Sequence, residues 1–378
     1  MSVEYKRRLA ETTLDEKLNS SGCVLVTGPK FCGKTTLCQR FAKSCVSLKN
    51  GNVIDLANSD PRGMLKGERP HLVGEWQKAP EIWSEIKNDL DEDYQFSKYI
   101  IAGSATPLDP SKNQHSEAGR ISVMNLKPFS LYESGESSGI ISLSELFKSN
   151  STTEDVAYSC ENPIGLADIA YMLCRGGWPI SVMAKKEHSI AVTENYYDGL
   201  FRIENENDDF TLFLKNKDIR LLILILKSFA RNISTQAKRA SMRRDILESN
   251  IRDTLDDETF SSYEQVLKDL FIIYDIPARN LNLRSTVSVR TAPTHHFIDP
   301  SIATCALGIE PPDLLNDLHS FGYFFEDLAI RDLSIYAESI QAKLKHYRDS
   351  AGREIDAIVE LRNGDYAAVE VKICSEKI

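Results

Sequence analysis

The 378-residue chain lacks long apolar stretches, a secretory signal and low-complexity segments. Its longest apolar run, residues 221–226, is far shorter than the roughly 20 residues that a membrane-spanning helix needs. Basic residues occur at the N-terminus, but no apolar segment follows them, as a secretory signal would require. We therefore expect a soluble protein that has no membrane partner.

Cysteine pairs are also missing, because none of the eight cysteines belongs to a CxxC motif. In a chain of this length that pattern favours reduced thiols and a cytoplasmic location. Cys23, Cys32, Cys38 and Cys45 lie close together in the sequence, which raises the question of a metal site. The sequence favours the alternative that they are small buried side chains around a strand and a helix.

Positive charge is scarce as well, with 45 Lys and Arg residues against 55 Asp and Glu residues. The formal net charge is therefore −10. Such a chain has no overall field that attracts nucleic acid, so any contact with DNA requires a local basic patch.

The length predicts two or three domains, because a single hydrophobic core rarely grows to this size. Residues 1–145 alternate short apolar segments with helical patterns, which indicates a parallel sheet with right-handed crossovers. Its strands are predicted at residues 23–27, 53–56, 72–73 and 99–102.

Residues 146–310 are predicted to be mainly helical, and residues 235–276 are typical of a winged helix-turn-helix. The winged-helix elements are predicted at residues 235–247, 261–271 and 272–276. Residues 311–378 predict a helix at 314–336 and strands at 343–348, 354–361 and 366–373, the last two joined by an Asn363-Gly364 turn. The predicted fold is α/β: a parallel-sheet domain, a helical winged-helix region and a small C-terminal α/β domain.

Residues 28–35 read GPKFCGKT and match the phosphate-loop pattern G-x-x-x-x-G-K-T, between a predicted strand and a predicted helix. Gly28 and Gly33 allow the loop to turn its backbone N–H groups toward phosphate oxygens. Lys34 places a positive charge on the β- and γ-phosphates, and the Thr35 hydroxyl is a ligand for Mg²⁺. We therefore predict a P-loop NTPase domain that binds ATP and Mg²⁺. The predicted nucleotide contacts are Gly28, Pro29, Lys30, Phe31, Cys32, Gly33, Lys34, Thr35 and Thr36.

ATP hydrolysis needs an acidic pair after a second strand, and the candidate sequence is HLVGEW at residues 71–76. Glu75 is placed to polarise the attacking water. The Asp that normally precedes it and orients magnesium is replaced by Gly74. The alternative is that Glu75 is a solvated residue at the start of a helix.

Two further residues are candidates for the γ-phosphate. Ser104 follows the strand at 99–102 and is a candidate sensor. Arg120 is a candidate arginine finger, acting either in its own chain or, in a homo-oligomer, on a neighbouring subunit. The alternative for Arg120 is a surface salt bridge.

The chain resembles the prokaryotic AAA-type ATPases that carry a winged-helix region and a C-terminal domain of unknown function similar to PD-(D/E)XK restriction endonucleases. The matching segments are GPKFCGKTT (28–36), GEWQKAPEIW (74–83), AGSATP (102–107), EAGRISVMNLKPFSLYESGESSG (117–139), RGGWP (175–179), FARNISTQ (229–236), FFEDLAIRDLSIY (324–336), HYRDSAGREIDAIVE (346–360) and AVEVK (368–372). The resemblance implies ATP binding, slow hydrolysis and a cytoplasmic location, and Gly74 departs from the family pattern.

The C-terminal residues Asp356, Glu370 and Lys372 form a D…E-x-K pattern at the ends of predicted paired strands. In an endonuclease-like fold the carboxylates would hold Mg²⁺ beside the scissile phosphate, and the Lys would help to activate water. Glu326, in the preceding helix, fits the additional acidic residue of such folds. The alternative is an amphipathic hairpin on which Glu370 and Lys372 share a face. The chain ends soon after Lys372, where a packing helix is expected, so we expect a shortened copy of this domain.

The winged-helix region has one basic cluster, formed by Lys238, Arg239, Arg243 and Arg244. The following candidate recognition helix carries Lys268 against Glu264 and Asp269, which is a poor set for reading DNA. Packing against protein is therefore the favoured alternative to DNA binding. His295 and His296 have no partner at metal-ligand spacing and are interpreted as a strand-end pair.

Three functions remain open from the sequence: an ATPase or ATP-operated switch, a Mg²⁺-dependent DNA nuclease gated by ATP, and an ATP-binding scaffold that does not hydrolyse its nucleotide.

Overall fold

The computed structural model of the protein describes residues 5–103, 119–148, 164–201, 214, 217–248, 254–279, 293–349 and 352–373. These residues divide into two compact units. The first unit contains the described residues of 7–128 and Leu214, and the second contains residues 5–6 with the described residues of 129–201 and 217–373. Within the described ranges, no helix is long and apolar enough to cross a membrane.

The first unit is built on a parallel sheet. Its strands are β1 (Cys23–Thr27), β2 (Ser44–Ser47), β3 (His71–Gly74), β4 (Tyr99–Ala102) and β5 (Ile121–Asn125). They pair in the order β2-β3-β4-β1-β5. Strands β1, β3 and β4 are buried along their whole length, as is usual for central parallel strands with both faces covered. The mixed α/β fold is therefore confirmed.

Helices and a core of aromatic and aliphatic side chains surround this sheet. The helices are Ala10–Leu18, Lys34–Phe41, Gly51–Ser59, Pro61–Met64 and Glu81–Glu92, with a 3-10 turn at Trp76–Lys78. The Trp76 and Trp83 rings pack with their centroids 4.9 Å apart, in a cluster that also contains Leu25 and Val73. The core thus ties the segment that follows β3 to the sheet.

The strand predicted at residues 53–56 is wrong, because these residues lie in the Gly51–Ser59 helix and the strand is β2. The Asn50 side chain caps this helix by accepting a hydrogen bond from the Asn52 backbone N–H (3.1 Å). Val53, Ile54 and Ala57 pack on the core at helical spacing. The short apolar segment at residues 53–56 is compatible with a strand or a helix, and the Asn50 cap favours the helix.

The second unit is mainly helical, with two small antiparallel sheets. Its helices are Leu131–Ser134, Leu143–Lys148, Leu166–Arg175, Pro179–Met183, Lys186–Leu200, Ile219–Arg231, Arg239–Leu247, Asp257–Asp269, Pro300–Leu307, Pro311–Asn316 and Leu318–Ser339. Strands β6 (Ile273–Ile276) and β7 (Thr294–Phe297) form one sheet. Strands β8 (Lys343–Arg348), β9 (Glu354–Glu360) and β10 (Tyr366–Val369) form the other, in the order β10-β9-β8.

Two boundaries differ from the sequence expectation. The helix predicted at 314–336 is two helices, because Asp317 caps a new one by accepting from the Ser320 N–H (3.1 Å). The last strand ends at Val369, so Glu370 and Lys372 follow β10 instead of lying within it. The winged-helix assignment stays a prediction, since residues 280–292, between β6 and β7, lie outside the described residues.

A buried ionic network links four segments of the second unit. The Arg331 guanidinium donates to Asp299 (2.7 Å) and to Asp332 (2.7 and 2.9 Å), and all three side chains are buried. Asp299 also accepts from the Gly177 N–H (2.8 Å), and Asp332 accepts from the Leu131 N–H (2.9 Å). Such a network specifies one packing arrangement, because removing any member leaves a buried charge without its partner.

Candidate functional site

The phosphate loop follows β1 in a conformation that requires glycine. Gly28 has φ 141°, and a Cβ there would lie 2.2 Å from the Leu126 carbonyl oxygen. Gly33 has φ 97° and precedes the Lys34–Phe41 helix, which has no side-chain hydrogen bond at its N-cap. The first N–H groups of this helix therefore face the loop as anion donors.

The Lys34 ammonium lies inside this loop. Its Nζ donates to the carbonyl oxygens of Gly28 (2.8 Å) and Pro29 (2.7 Å), and the side chain is 9% exposed. The loop therefore combines a cation with the helix N-terminus, the pairing that binds phosphate groups.

The other predicted nucleotide contacts differ in exposure. Cys32 is buried, Lys30 and Thr35 are half-buried, and Thr36 is exposed. Phe31, at the tip of the loop, has φ 64° and is 61% exposed. Thr35 lies in the first turn of the helix, next to Lys34, so its hydroxyl is close to the loop.

Arg8 forms hydrogen bonds with the phosphate loop and was not predicted from the sequence. Its guanidinium donates to the carbonyl oxygens of Cys32 (3.0 Å) and Lys127 (2.7 Å), and the side chain is 4% exposed. This joins the loop to the segment after β5. No sequence signal marks the contact, because Arg8 sits in an ordinary basic tripeptide far from the loop.

Strands β3, β4 and β1 are neighbours in this order and run parallel. The end of β3 therefore lies at the same edge of the sheet as the loop, which follows the end of β1. Glu75 lies directly beyond β3, with φ 59°, and its backbone N–H donates to the Ala102 carbonyl (2.9 Å). Its carboxylate accepts a hydrogen bond from Gln77 Nε2 (3.0 Å). Gln77 is a second residue that the sequence reasoning missed. Ser104 lies outside the described residues.

Gly74 has room for a side chain. A Cβ at this position would meet nothing closer than the Ser47 hydroxyl and the Val46 carbonyl, both at 3.8 Å. The missing carboxylate is therefore not excluded by the packing around it.

Arg120 lies at the end of the strands opposite to the phosphate loop. It precedes β5, whose first residue pairs with Cys23 at the start of β1, whereas the loop follows the last residue of β1. Five residues at about 3.3 Å each place the Arg120 backbone roughly 16 Å from the end where the loop lies. Its guanidinium pairs with Asp91 (2.5 Å), so the expected role in its own site does not fit this position.

The second unit contains another candidate site, a cavity of about 190 Å³ between β8, β9, β7 and the Leu318–Ser339 helix. Glu326 and Asp356 line it together with Glu354 and Arg348. Burial and the nearby Asp356 carboxylate raise the pKa of Glu326 to about 8. The pKa of Asp356 is also raised by burial, and its carboxylate accepts from the Val371 N–H (2.7 Å).

Glu370 and Lys372 lie near this cavity but do not line it. Lys372 Nζ contacts Glu370 Oε1 at 2.7 Å, and both side chains are largely exposed. The Glu370 carboxylate raises the pKa of Lys372 and, together with burial, that of Asp356. The structure therefore brings the four predicted residues into one neighbourhood, with two at the cavity and two beside it.

Three basic side chains of the region predicted to be a winged helix are paired with carboxylates. Arg239 contacts Glu264 (2.8 Å), and Arg243 contacts Asp257 (3.0 Å). Lys268 lies between Glu264 (2.7 Å) and Asp275 (2.5 Å). These charges are neutralised locally, which leaves them weak phosphate contacts.

His295 does have acidic neighbours, contrary to the sequence expectation. Its ring lies within metal-ligand spacing of Glu264 and Asp275. Lys268 and Arg239 already bond these carboxylates, so cations of the protein occupy the place that a metal ion would need.

Comparisons with known proteins separate the chain into three matched segments. Residues 20–135 match a family described as AAA domain, residues 166–313 a domain of unknown function (DUF8612), and residues 321–377 another domain of unknown function (DUF4143). The AAA match covers the phosphate loop and Glu75. It supports a nucleotide-binding, ATPase-like domain of AAA type, with the P-loop that the sequence predicted.

Similar proteins were found across most of the chain. Uncharacterized proteins of Mycobacterium tuberculosis and Mycobacterium bovis are each 23% identical over 365 residues, which is 96% of this chain and 73% of theirs. A Walker-type ATPase of Pyrococcus abyssi is 16% identical with a TM-score of 0.48, over 80% of this chain and 96% of that one. The ORC2 protein of Aeropyrum pernix, in ADPNP–ADP complexes, is 12% identical with a TM-score of 0.34, over 71% and 86%.

Proposed function

We propose that the first unit binds ATP with Mg²⁺ and hydrolyses it slowly, as an ATP-operated switch. The observation that carries this proposal is the Lys34 ammonium inside the loop, 2.8 and 2.7 Å from two loop carbonyls and beside a helix N-terminus without a side-chain cap. This arrangement supplies cation and backbone donors to the β- and γ-phosphates of a nucleotide.

The residues around the loop fit a magnesium ion only in part. The Thr35 hydroxyl, half-buried in the first helical turn, would be one ligand, while Gly74 offers none. When bound with ATP, the ion neutralises charge on the phosphate oxygens. With a single protein hydroxyl and no carboxylate at position 74, we expect binding to be retained and turnover to be slow.

Glu75 is the proposed base that orients the attacking water. Its carboxylate is held by Gln77 Nε2 at 3.0 Å, so its position does not depend on bound nucleotide alone. Ser104 remains a proposed γ-phosphate sensor. Arg120 remains a proposal only as a residue that acts on a neighbouring subunit of a homo-oligomer.

Substitution of Lys34 tests the proposal. We expect Lys34→Ala to abolish the thermal stabilisation that ATP and Mg²⁺ confer on the native protein, which at 100 times Kd is about 2.7 kcal/mol. Lys49→Ala, an exposed lysine of the same unit, is the matched control and should be stabilised like the native protein. Equal stabilisation of the Lys34 variant would contradict the assigned site.

Phosphate release separates the switch from the alternative of a scaffold that never hydrolyses ATP. A slow but measurable rate that Glu75→Gln removes supports the ATPase. A native rate no higher than that of Glu75→Gln, with binding intact, supports the scaffold.

The second unit carries a second proposed function, metal-dependent hydrolysis of a phosphodiester. The supporting observation is that Glu326 and Asp356 line one cavity, where burial raises the pKa of both carboxyl groups and repulsion from Asp356 raises that of Glu326 further. A divalent cation would relieve this repulsion, and carboxylate oxygens are the ligands that Mg²⁺ prefers. Lys372 would stabilise charge on the substrate from the edge of the cavity.

A further inference from the structure

The cavity of the proposed phosphodiester site is lined by two kinds of side chain. Glu326, Glu354 and Asp356 contribute carboxylates. Gln236 and Arg348, which line the same cavity, contribute hydrogen-bond donors. Carboxylates repel a phosphate group, so a phosphodiester in this cavity also needs donors for its negatively charged oxygens.

Gln236 and Arg348 are bonded to each other. Arg348 Nη1 donates to Gln236 Oε1 (3.1 Å). A guanidinium has donors and no acceptor, so it must face the oxygen of the amide. The Gln236 Nε2 group, which carries two N–H bonds, is therefore left for a different acceptor. In the described part of the chain, this group donates to no protein atom.

A tight turn holds Gln236 at the cavity. The Thr235 backbone N–H and hydroxyl both donate to the Asn232 carbonyl oxygen (3.2 and 2.7 Å). Ser234, inside this turn, has φ 54°, a backbone conformation that residues other than glycine adopt only at a cost. Ser234 and Thr235 line the cavity together with Gln236. The turn therefore fixes the backbone that carries the Gln236 amide.

Arg348 supplies positive charge to the cavity. It is the last residue of β8, and 43% of its side chain is exposed. Its Nη1 lies 3.5 Å from Glu354 Oε2, which is longer than the roughly 2.7–2.9 Å of a charge-assisted hydrogen bond. N–H groups of the guanidinium therefore remain for a ligand. The planar guanidinium matches the geometry of phosphate oxygens.

We propose that Gln236 and Arg348 form a phosphate-binding pair in this cavity. Gln236 Nε2 and the Arg348 guanidinium donate to the non-bridging oxygens of a bound phosphodiester, so both are substrate-binding residues. The pair rests on the proposed phosphodiester hydrolysis and assigns the groups that recognise the substrate of that reaction.

The opposing interpretation is that Gln236 only ties its turn to β8 through Arg348. The two interpretations differ for Gln236→Glu. A glutamate has nearly the same shape and still accepts from Arg348, so it would replace a purely structural glutamine without loss. It has no donor, however, and it places a negative charge beside the phosphate, so it would abolish the substrate contact.

Hydrolysis of bis(p-nitrophenyl) phosphate with Mn²⁺ by the full chain measures the effect on the substrate. We expect Gln236→Glu to raise KM by about tenfold, the lower end of what a hydrogen bond to a charged group contributes, with kcat changed much less. Its Tm should not fall, because the bond to Arg348 is kept. Arg348→Ala should raise KM by a similar factor, and Arg348→Lys, which keeps the charge, by less.

Gln341→Glu is the matched control. It makes the same change of charge at an exposed position outside the cavity lining, and it should keep the native KM. A native KM in Gln236→Glu or in Arg348→Ala, or an equal rise in Gln341→Glu, overturns the phosphate-binding pair.

Binding without turnover distinguishes failure of the pair from failure of the underlying activity. Fluorescence anisotropy of a short fluorescein-labelled oligonucleotide, with Ca²⁺ in place of Mn²⁺, gives Kd for the full chain. We expect Kd to rise about tenfold in Gln236→Glu and to stay native in Gln341→Glu. If the native chain and Asp356→Asn are equally inactive, the proposed hydrolysis fails and Kd decides the pair. The expected rise then supports it, and an unchanged Kd, or no binding by the native chain, overturns it.

Discussion

Gly74 is the residue whose identity has the largest expected effect on ATP turnover. An aspartate in its place would orient the metal ion that bridges the β- and γ-phosphates. The nearest atoms to a Cβ at this position lie 3.8 Å away, which is ordinary contact distance, so the backbone accepts a side chain there. The strand can therefore carry the substitution without rebuilding.

We expect Gly74→Asp to raise phosphate release at saturating ATP by about tenfold, roughly 1.4 kcal/mol off the barrier, with little change in affinity. Binding depends mainly on Lys34 and backbone N–H groups, whereas the rate depends on where charge is placed. Gly74→Asn has the same shape without the charge and should not accelerate the reaction. A native protein that is already fast, or equal rates for the Asp and Asn variants, would show that another carboxylate orients the metal.

Glu326 should make stability depend on pH. Its pKa is about 8 in the folded chain, because of burial and Asp356, and lower in the unfolded chain. Between the unfolded value of about 4.3 and the folded value, the folded state binds more protons, so stability falls as pH rises through this window.

We expect the Tm of the native protein, measured against Glu326→Gln, to decrease from pH 5 to pH 8. Mn²⁺ should weaken this dependence, because a cation stabilises the charged form. Glu258→Gln, an exposed glutamate, is the control and should follow the native curve. Parallel curves for native protein and Glu326→Gln would mean that Glu326 ionises normally.

At the scale of elements, the phosphate loop depends on a segment far from it in sequence. Arg8 precedes the Ala10–Leu18 helix and donates to the carbonyl of Cys32, within the loop, and to that of Lys127, after β5. Hydrogen bonds from a charged donor contribute about 1.5–3 kcal/mol each when buried. The loop is therefore preorganised by this helix as well as by its own glycines.

We expect Arg8→Ala to lower both Tm and ATP affinity, the latter by about tenfold if about 1.4 kcal/mol of loop ordering is lost. Arg7→Ala is a close control, because the Arg7 side chain is 85% exposed and its contact with Glu11 is long (3.8 Å). Isothermal titration with a non-hydrolysable ATP analogue measures the affinities. An unchanged affinity in Arg8→Ala would limit the residue to a role in folding.

At the scale of the whole molecule, the chain combines a unit whose residues 20–135 match an AAA domain with a unit that carries a separate cluster of carboxylates. Coupling between two sites is a free energy that each site exerts on the other. Activity measurements on the intact chain can therefore reveal it without any assumption about how the units are arranged.

If ATP gates the second unit, we expect plasmid cleavage with Mn²⁺ by the native chain to change when ATP is added. Lys34→Ala should cleave at the ATP-free rate under both conditions, and Asp356→Asn should not cleave at all. An ATP effect that persists in Lys34→Ala would place the nucleotide at another site. Cleavage that survives Asp356→Asn would contradict the assigned carboxylates.

The features that the sequence determined are local ones. The phosphate loop follows from eight consecutive residues, because Gly28 and Gly33 adopt backbone conformations that other residues avoid and Lys34 follows at a fixed spacing. The alternation of apolar segments and helices likewise determined the α/β class. The boundaries of three domains and the winged helix stay predictions, since they depend on how distant segments pack.

The tertiary structure decided everything that depends on distant residues meeting. Arg120 was predicted to reach the γ-phosphate beside the loop. Because β5 runs parallel to β1, the residue before β5 lies at the end of the strands opposite to the loop. Arg8 reaches the loop, and Arg348 reaches Gln236, over separations that no sequence period records. Hydrogen-bond partners over such separations are set by packing, because burial leaves each polar group only the donors and acceptors that the fold brings within about 3 Å.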